Sequence, residues 1–129
     1  MLFRSGNPHF VTFVDSNDFS SHGMSWQELG TKIAVDPLFR FGTNVEFVRV
    51  LSANEIEFRI YERGVGPTHS SGTGTCASSA AAIALEGVER ELGATSIGGR
   101  QRVVWPADDK EMLLTGPAEV ICRGEVDLA

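Results

Sequence analysis

From Gly72 to Leu85 the chain carries no charged residue, and small or apolar side chains occupy every face of the helix that this run implies. A surface helix keeps one charged side toward water, so a helix over 72–86 must be enclosed on nearly all sides. Alanine and serine at Ala77, Ser78, Ser79, Ala80, Ala81 and Ala82 let neighbouring backbone approach closely. This suits a helix threaded through the middle of a curled sheet. The charged continuation from Glu86 to Glu91 is expected to emerge into water.

The rest of the pattern supplies such a sheet. Gly6-Asn7-Pro8 is a turn signal, with Pro8 pushing Asn7 away from helical angles, and it leads into a strand at Phe10 to Val14. Ser25-Trp26-Gln27-Glu28 reads as a capping box, followed at helical spacing by Leu29, Ile33 and Ala34, so a short helix should run from Trp26 to Val35 and stop before Pro37. From Asn44 the period becomes two. Val45 and Phe47 alternate with Glu46 and Val48, Asn54 marks a turn, and Ile56, Phe58 and Ile60 alternate with Glu57, Arg59 and Tyr61, which predicts a β-hairpin. Three further strands are expected at Arg102 to Trp105, Met112 to Thr115 and Glu119 to Arg123. No repeat or linker divides the sequence, so residues 1–129 read as a single α+β domain.

Composition narrows the partners. Eleven Lys+Arg against 17 Asp+Glu give a net charge of -6, with the cations scattered, so a phosphate backbone is repelled and nucleic acid is not an expected partner. With 129 residues, 42% hydrophobic, roughly two thirds of the unfolded chain's surface can be buried without staples. No stretch is long and apolar enough to span a bilayer, and the opening residues have no signal-peptide core, so no membrane is expected and the cytoplasm is the default location. Cys76 and Cys122 are far apart with no ligands at zinc spacing; two free, mostly buried thiols are expected rather than a disulfide.

Chemistry concentrates at the start of the enclosed helix. Its first N–H groups lack intrahelical partners and sit at the positive end of the dipole, so Gly72, Thr73 and Gly74 form a receptor for a carboxylate or phosphate, although a plain capped turn would look the same. The segment has neither the lysine of a P-loop nor the spacing of a dinucleotide fingerprint. Upstream, Glu62-Arg63-Gly64 closes a strand with opposite charges: Arg63 can grip a carboxylate and Glu62 can hold an ammonium group or serve as a base, or the two can form a surface ion pair. His69 lies two residues from Ser71 but no nucleophile-elbow pattern surrounds them, and His22 sits in a polar loop with no role expected.

Five separated segments then resemble one family. Gly6-Asn7-Pro8-His9, Phe39 to Val48 with Gly42-Thr43-Asn44-Val45-Glu46, Tyr61-Glu62-Arg63-Gly64-Val65-Gly66, Ser71-Gly72-Thr73-Gly74-Thr75-Cys76-Ala77 and Thr115-Gly116-Pro117-Ala118-Glu119 resemble, in order and over almost the whole chain, the C-terminal half of diaminopimelate epimerase. The resemblance implies a two-domain enzyme, each domain a β-barrel-like curled sheet around a central buried helix, with an amino-acid substrate between the two helix starts. It implies inversion at an α-carbon between two thiols, part of lysine and peptidoglycan precursor formation, with no cofactor or metal. By motif, Gly72 and Thr73 would bind the α-carboxylate, Asn7, Asn44, Glu62 and Arg63 the distal end, and His9 and Glu62 would orient the catalytic groups. The partner would be a missing N-terminal half or a second copy in a homodimer.

Ser71 departs from the pattern. The family carries a cysteine there, and Pro67-Thr68-His69-Ser70 replaces the preceding Glu-Thr-Leu-Ala. A hydroxyl is a far weaker acid than a thiol, so Ser71 does not readily supply an anionic base. Three readings follow: a domain of an epimerase, inactive by itself; a silent amino-acid-binding domain; or a same-fold isomerase or dehydratase that uses Ser71 in place of the cysteine.

Overall fold

The computed structural model describes residues 2–4 and 6–128; Met1, Ser5 and Ala129, part of the expected single unit, lie outside the described residues. Eight strands and two helices follow in the order β1 (Leu2–Arg4), β2 (Pro8–Phe13), α1 (Trp26–Ile33), β3 (Asn44–Ser52), β4 (Glu55–Glu62), β5 (Gly66–Thr68), α2 (Gly72–Glu86), β6 (Glu91–Ser96), β7 (Gly99–Val104) and β8 (Leu113–Thr115). They build one mixed sheet in the order β1-β2-β3-β4-β6-β7-β8, with β5 paired to β4.

Two parallel pairs set the architecture. The segment containing α1 crosses from β2 to β3, and the one containing β5 and α2 crosses from β4 to β6. Each crossover lays its helix on a different face of the sheet. Toward α2 point Val11, Val48, Ile56, Phe58 and Ile60, packed against Ala77 and Ala81. Toward α1 point Val45 and Phe47, packed with Phe19, Trp26 and Ala34. Strand β3 is therefore buried on both sides at its start, where Asn44 to Val48 are all buried.

The enclosed helix is confirmed. Ala77, Ala80, Ala81 and Ala82 are buried, and α2 touches β1, β2, β3, β4, β6 and β7, so the sheet curls around it. Its small side chains permit that approach on all sides, but the curl is not a closed barrel, because β1 and β8 end the sheet. Helix α2 stops where Gly87 takes a left-handed φ of 68°, a conformation with little cost for glycine. Helix α1 starts at the capping box: the Glu28 amide donates to the Ser25 hydroxyl at 3.3 Å, and the Ser25 amide donates to the Glu28 carboxylate at 2.9 Å. The same two Ser25 groups hold the Glu28 carboxyl below its usual range.

Several expectations change. The strand expected from Phe10 to Val14 is β2 and runs from Pro8 to Phe13, and α1 ends at Ile33, with Ala34 as its cap. Strands β1, β5 and β6 had no expectation. The last runs Glu91-Leu92-Gly93-Ala94-Thr95-Ser96 and takes its order from pairing β4 and β7 on either side, not from β-branched side chains. Within the stretch expected to emerge into water, Val88 is buried, because its amide turns back to the Ala82 carbonyl at 3.3 Å and its side chain joins the α2-side core. Glu119 to Arg123 form no strand and are exposed; no neighbouring strand among the described residues pairs them. Both cysteines are free as expected, but only Cys76 is half-buried, with burial raising its thiol, while Cys122 lies exposed on that segment. No helix among the described residues is long and apolar enough to cross a membrane.

Candidate functional site

Strand register brings the polar residues of the site together. His9 sits opposite Asn44 across the parallel β2–β3 pair, and Val45 sits opposite Tyr61 across the antiparallel β3–β4 pair. Side chains on a strand alternate between faces, so His9, Asn44, Glu46 and Glu62 all lie on the α2 side of the sheet. They lie at the end of the sheet where α2 begins.

Around Arg63 the structure forms a polar clasp. The Arg63 amide donates to Asn44 Oδ1 at 2.8 Å, and its guanidinium donates to the Phe41 carbonyl at 2.6 Å and to Asn7 Oδ1 at 3.2 Å. Asn7, Asn44 and Arg63, 56 positions apart at the extremes, are thereby joined. Gly42, at φ 71°, is needed beside them: a Cβ there would lie 2.8 Å from Arg63 Cδ and 2.8 Å from the Ala34 carbonyl. The clasp borders a groove of about 350 Å³ lined by Gly6, Pro8, Leu38, Phe39, Phe41 and Arg63. Glu62 and Arg63 do not pair as a surface ion pair. Glu62 instead accepts from the Thr68 hydroxyl at 3.0 Å, which ties β4 to β5 just ahead of the loop leading to α2.

At the start of α2, Ser71 is the N-cap. Its hydroxyl accepts from the Gly74 amide at 3.1 Å, and its carbonyl accepts from the Thr75 amide at 2.9 Å. Gly74, expected to offer a free N–H, is therefore taken by Ser71, and the two helix-start amides with neither an intrahelical nor a Ser71 acceptor are those of Gly72 and Thr73, both exposed. The Thr75 hydroxyl lies 2.8 Å from the Ser71 carbonyl and 2.7 Å from Gln101 Oε1, which anchors the first turn to β7. His69 is exposed, and its carbonyl accepts the Gly98 amide at 2.7 Å. His22 is also exposed, in a left-handed conformation with φ 51°.

Glu46 is the residue that the sequence patterns do not single out. The alternation of β3 marks it only as the neighbour of Val45 and Phe47, yet it is fully buried, with Oε1 2.6 Å from His9 Nδ1. Burial pushes its carboxyl well above the usual range; contact with His9 pulls the other way, and the charge of Glu62 adds to the rise. A Cβ on Gly74 would stand 3.1 Å from Glu46 Oε1, so the glycine lets the helix start close over this carboxyl. Asn44, Arg49 and Ser52 share its strand with Val45, Phe47 and Val48, so the local pattern carries no signal that marks Glu46 out.

Known proteins are similar to this chain in sequence and in fold. The diaminopimelate epimerase family model matches residues 1–121. The diaminopimelate epimerase of Heliobacterium modesticaldum is 37% identical over 123 residues, covering 95% of this chain and 42% of that protein. That of Bacillus cereus is 40% identical over 121 residues, covering 92% of this chain and 40% of that protein. The chain thus spans less than half the length of these relatives. Among solved structures, a phenazine biosynthesis PhzF-family protein of Enterococcus faecalis shares the fold with a TM-score of 0.57 at 17% identity, over 77% of this chain and 34% of that one. A PhzF-family protein of Bacillus anthracis does so with a TM-score of 0.54 at 15% identity, over 88% and 36%.

Proposed function

Because the chain belongs to the diaminopimelate epimerase family, we propose that residues 1–129 form one domain, the C-terminal half of a cytoplasmic, cofactor-independent amino-acid epimerase that interconverts LL- and meso-diaminopimelate. The observation that carries this reading is the pairing of two receptors at one end of the sheet. The exposed Gly72 and Thr73 amides begin α2, and the Asn7–Asn44–Arg63 clasp stands beside a groove. Such a pair suits a substrate with a carboxylate at one end and a second amino-acid group at the other.

In this reading the Gly72 and Thr73 amides hold the α-carboxylate and stabilise charge that builds when the α-proton leaves. Arg63 has five donors and directs two hydrogen bonds to Phe41 and Asn7, so others remain for a distal carboxylate. Glu62 and His9 orient the groups that exchange the proton. Inversion needs a base and an acid on opposite faces of the α-carbon, and one helix start offers one face. The apolar side chains Val35, Leu38, Phe41 and Val65 are exposed around the clasp, and Val120, Ile121, Val126 and Leu128 along the C-terminal segment, which supports a covering partner, the other half of the enzyme or a second copy.

Ser71 favours a second reading. Its hydroxyl caps α2 by accepting from the Gly74 amide, and a hydroxyl is a far weaker acid than the thiol the family carries there, so the same site would serve a one-base isomerase or dehydratase, or a binding domain without turnover. Incubation with diaminopimelate in heavy water, followed by mass spectrometry of α-deuteration, separates these. No incorporation is expected from the chain alone, and incorporation is expected when the N-terminal half of a relative is supplied. Deuteration by the chain alone, above a His9→Ala/Glu62→Ala control, would overturn the half-site reading; none in either case would leave binding without turnover.

A further inference from the structure

We propose that Glu46 is a positioning residue for His9: its buried carboxyl group shares one proton with Nδ1, which leaves Nε2 carrying a second proton and acting as a hydrogen-bond donor. Both side chains are fully buried and their contact is 2.6 Å, so one proton must lie between Oε1 and Nδ1. With a second proton on Nε2 the pair is uncharged in total, wherever the shared proton sits. Without it, a net negative charge would be enclosed beside Glu62, which already disfavours ionised Glu46. Among the described residues Glu46 Oε2 has no hydrogen-bond partner, a further cost to an ionised carboxylate there. From β2, β3 and β4 the ionisable groups on this face are His9, Glu46 and Glu62, and the first turn of α2 contributes no acidic side chain.

The ring is held by geometry as well. The parallel register fixes His9 opposite Asn44, and Glu46 lies two residues along the same face of β3. The start of α2 closes over the carboxyl at Gly74, so the pair cannot swing apart without displacing the helix. A donor at Nε2 stabilises an anion, such as a thiolate or an oxyanion, and does not remove a proton from carbon. This consequence for catalysis rests on the epimerase-domain reading above; the placement of the protons does not.

The test uses the whole chain labelled with ¹⁵N at histidine, with His9 distinguished from His22 and His69 by His22→Gln and His69→Gln. Long-range proton–nitrogen spectra near neutral pH are expected to show a proton bonded to His9 Nε2 and a far-downfield proton in the short bond at Nδ1, the latter lost in Glu46→Gln. A His9 Nε2 without a bonded proton would overturn the proposal while leaving the domain reading intact. A downfield proton that persists in Glu46→Gln would do the same. If that variant fails to fold, the wild-type Nε2 signal decides alone.

Discussion

Ser71 combines two demands in one atom, because the hydroxyl that stands where the family carries a thiol also closes the first turn of α2. Removing it in Ser71→Ala is expected to cost about 1 kcal/mol in denaturant unfolding, the usual loss for an N-cap. Ser71→Cys is expected to lose part of the same amount, since sulfur is a weaker acceptor, and equal stability of all three proteins would show that the cap contributes nothing. Glu46 predicts a pH effect. Burial raises its folded carboxyl above the ordinary 4.5, and the pair with His9 keeps two protons in all; the unfolded chain, with an ionised glutamate and a charged histidine, holds the same number up to about pH 6.5 and loses one above it, so stability falls as pH rises from there. Urea titrations at several pH values are expected to show that Glu46→Gln removes this downward slope; parallel curves for the two proteins would refute it. The polar residues of the clasp were legible as motif positions, Asn7, Asn44 and Arg63 among them. Glu46 was not, since nothing local distinguishes a carboxyl on a solvated face from one that finds a histidine 37 positions earlier.

Helix α1 depends on a missing side chain. Gly30 is buried against Tyr61, and a Cβ there would come within 2.6 Å of the ring. Gly30→Ala gains about 1 kcal/mol of helix propensity, but overpacking of this kind costs about 1–3 kcal/mol, so net destabilisation is expected. In a Tyr61→Gly background, which removes both the ring and the Tyr61 Cβ that would stand 2.7 Å away, the overpacking disappears and the same change should become stabilising; a penalty that survives there would place its cause elsewhere. The elements with local signals were readable in advance: the Ser25–Glu28 box for α1, the all-round small surface for α2, and the alternation for the β3–β4 hairpin. Strand β6 was not, because Gly93 and Ala94 carry little strand preference and their pairing with Glu55 and Ile56 is long-range. Glu119 to Arg123 failed for the converse reason, as an apolar segment becomes a strand only when another strand lies beside it.

For the molecule as a whole, the segment after β8 is the part least tied to the rest. Residues 116–128 are exposed and carry no secondary structure, and Arg123 lies within them. Trypsin at low dose is therefore expected to cut after Arg123 before any site in the sheet, read by intact mass, and a covering partner half should slow that cut. Earlier cleavage at Arg59 or Arg102 would contradict this ordering. The double burial of β3 also bears on how the chain avoids mispairing. Asn44, Glu46 and Val48 face α2 while Val45 and Phe47 face α1, so sliding β3 by one residue would press the Glu46 carboxyl among Phe19, Trp26 and Ala34, far from any histidine, and turn Phe47 toward the ring of His9. A misaligned sheet would thus enclose an uncompensated acid. The group that poises the site also acts as a proofreader of strand alignment, admitting one threading of the sheet and rejecting its neighbours during folding.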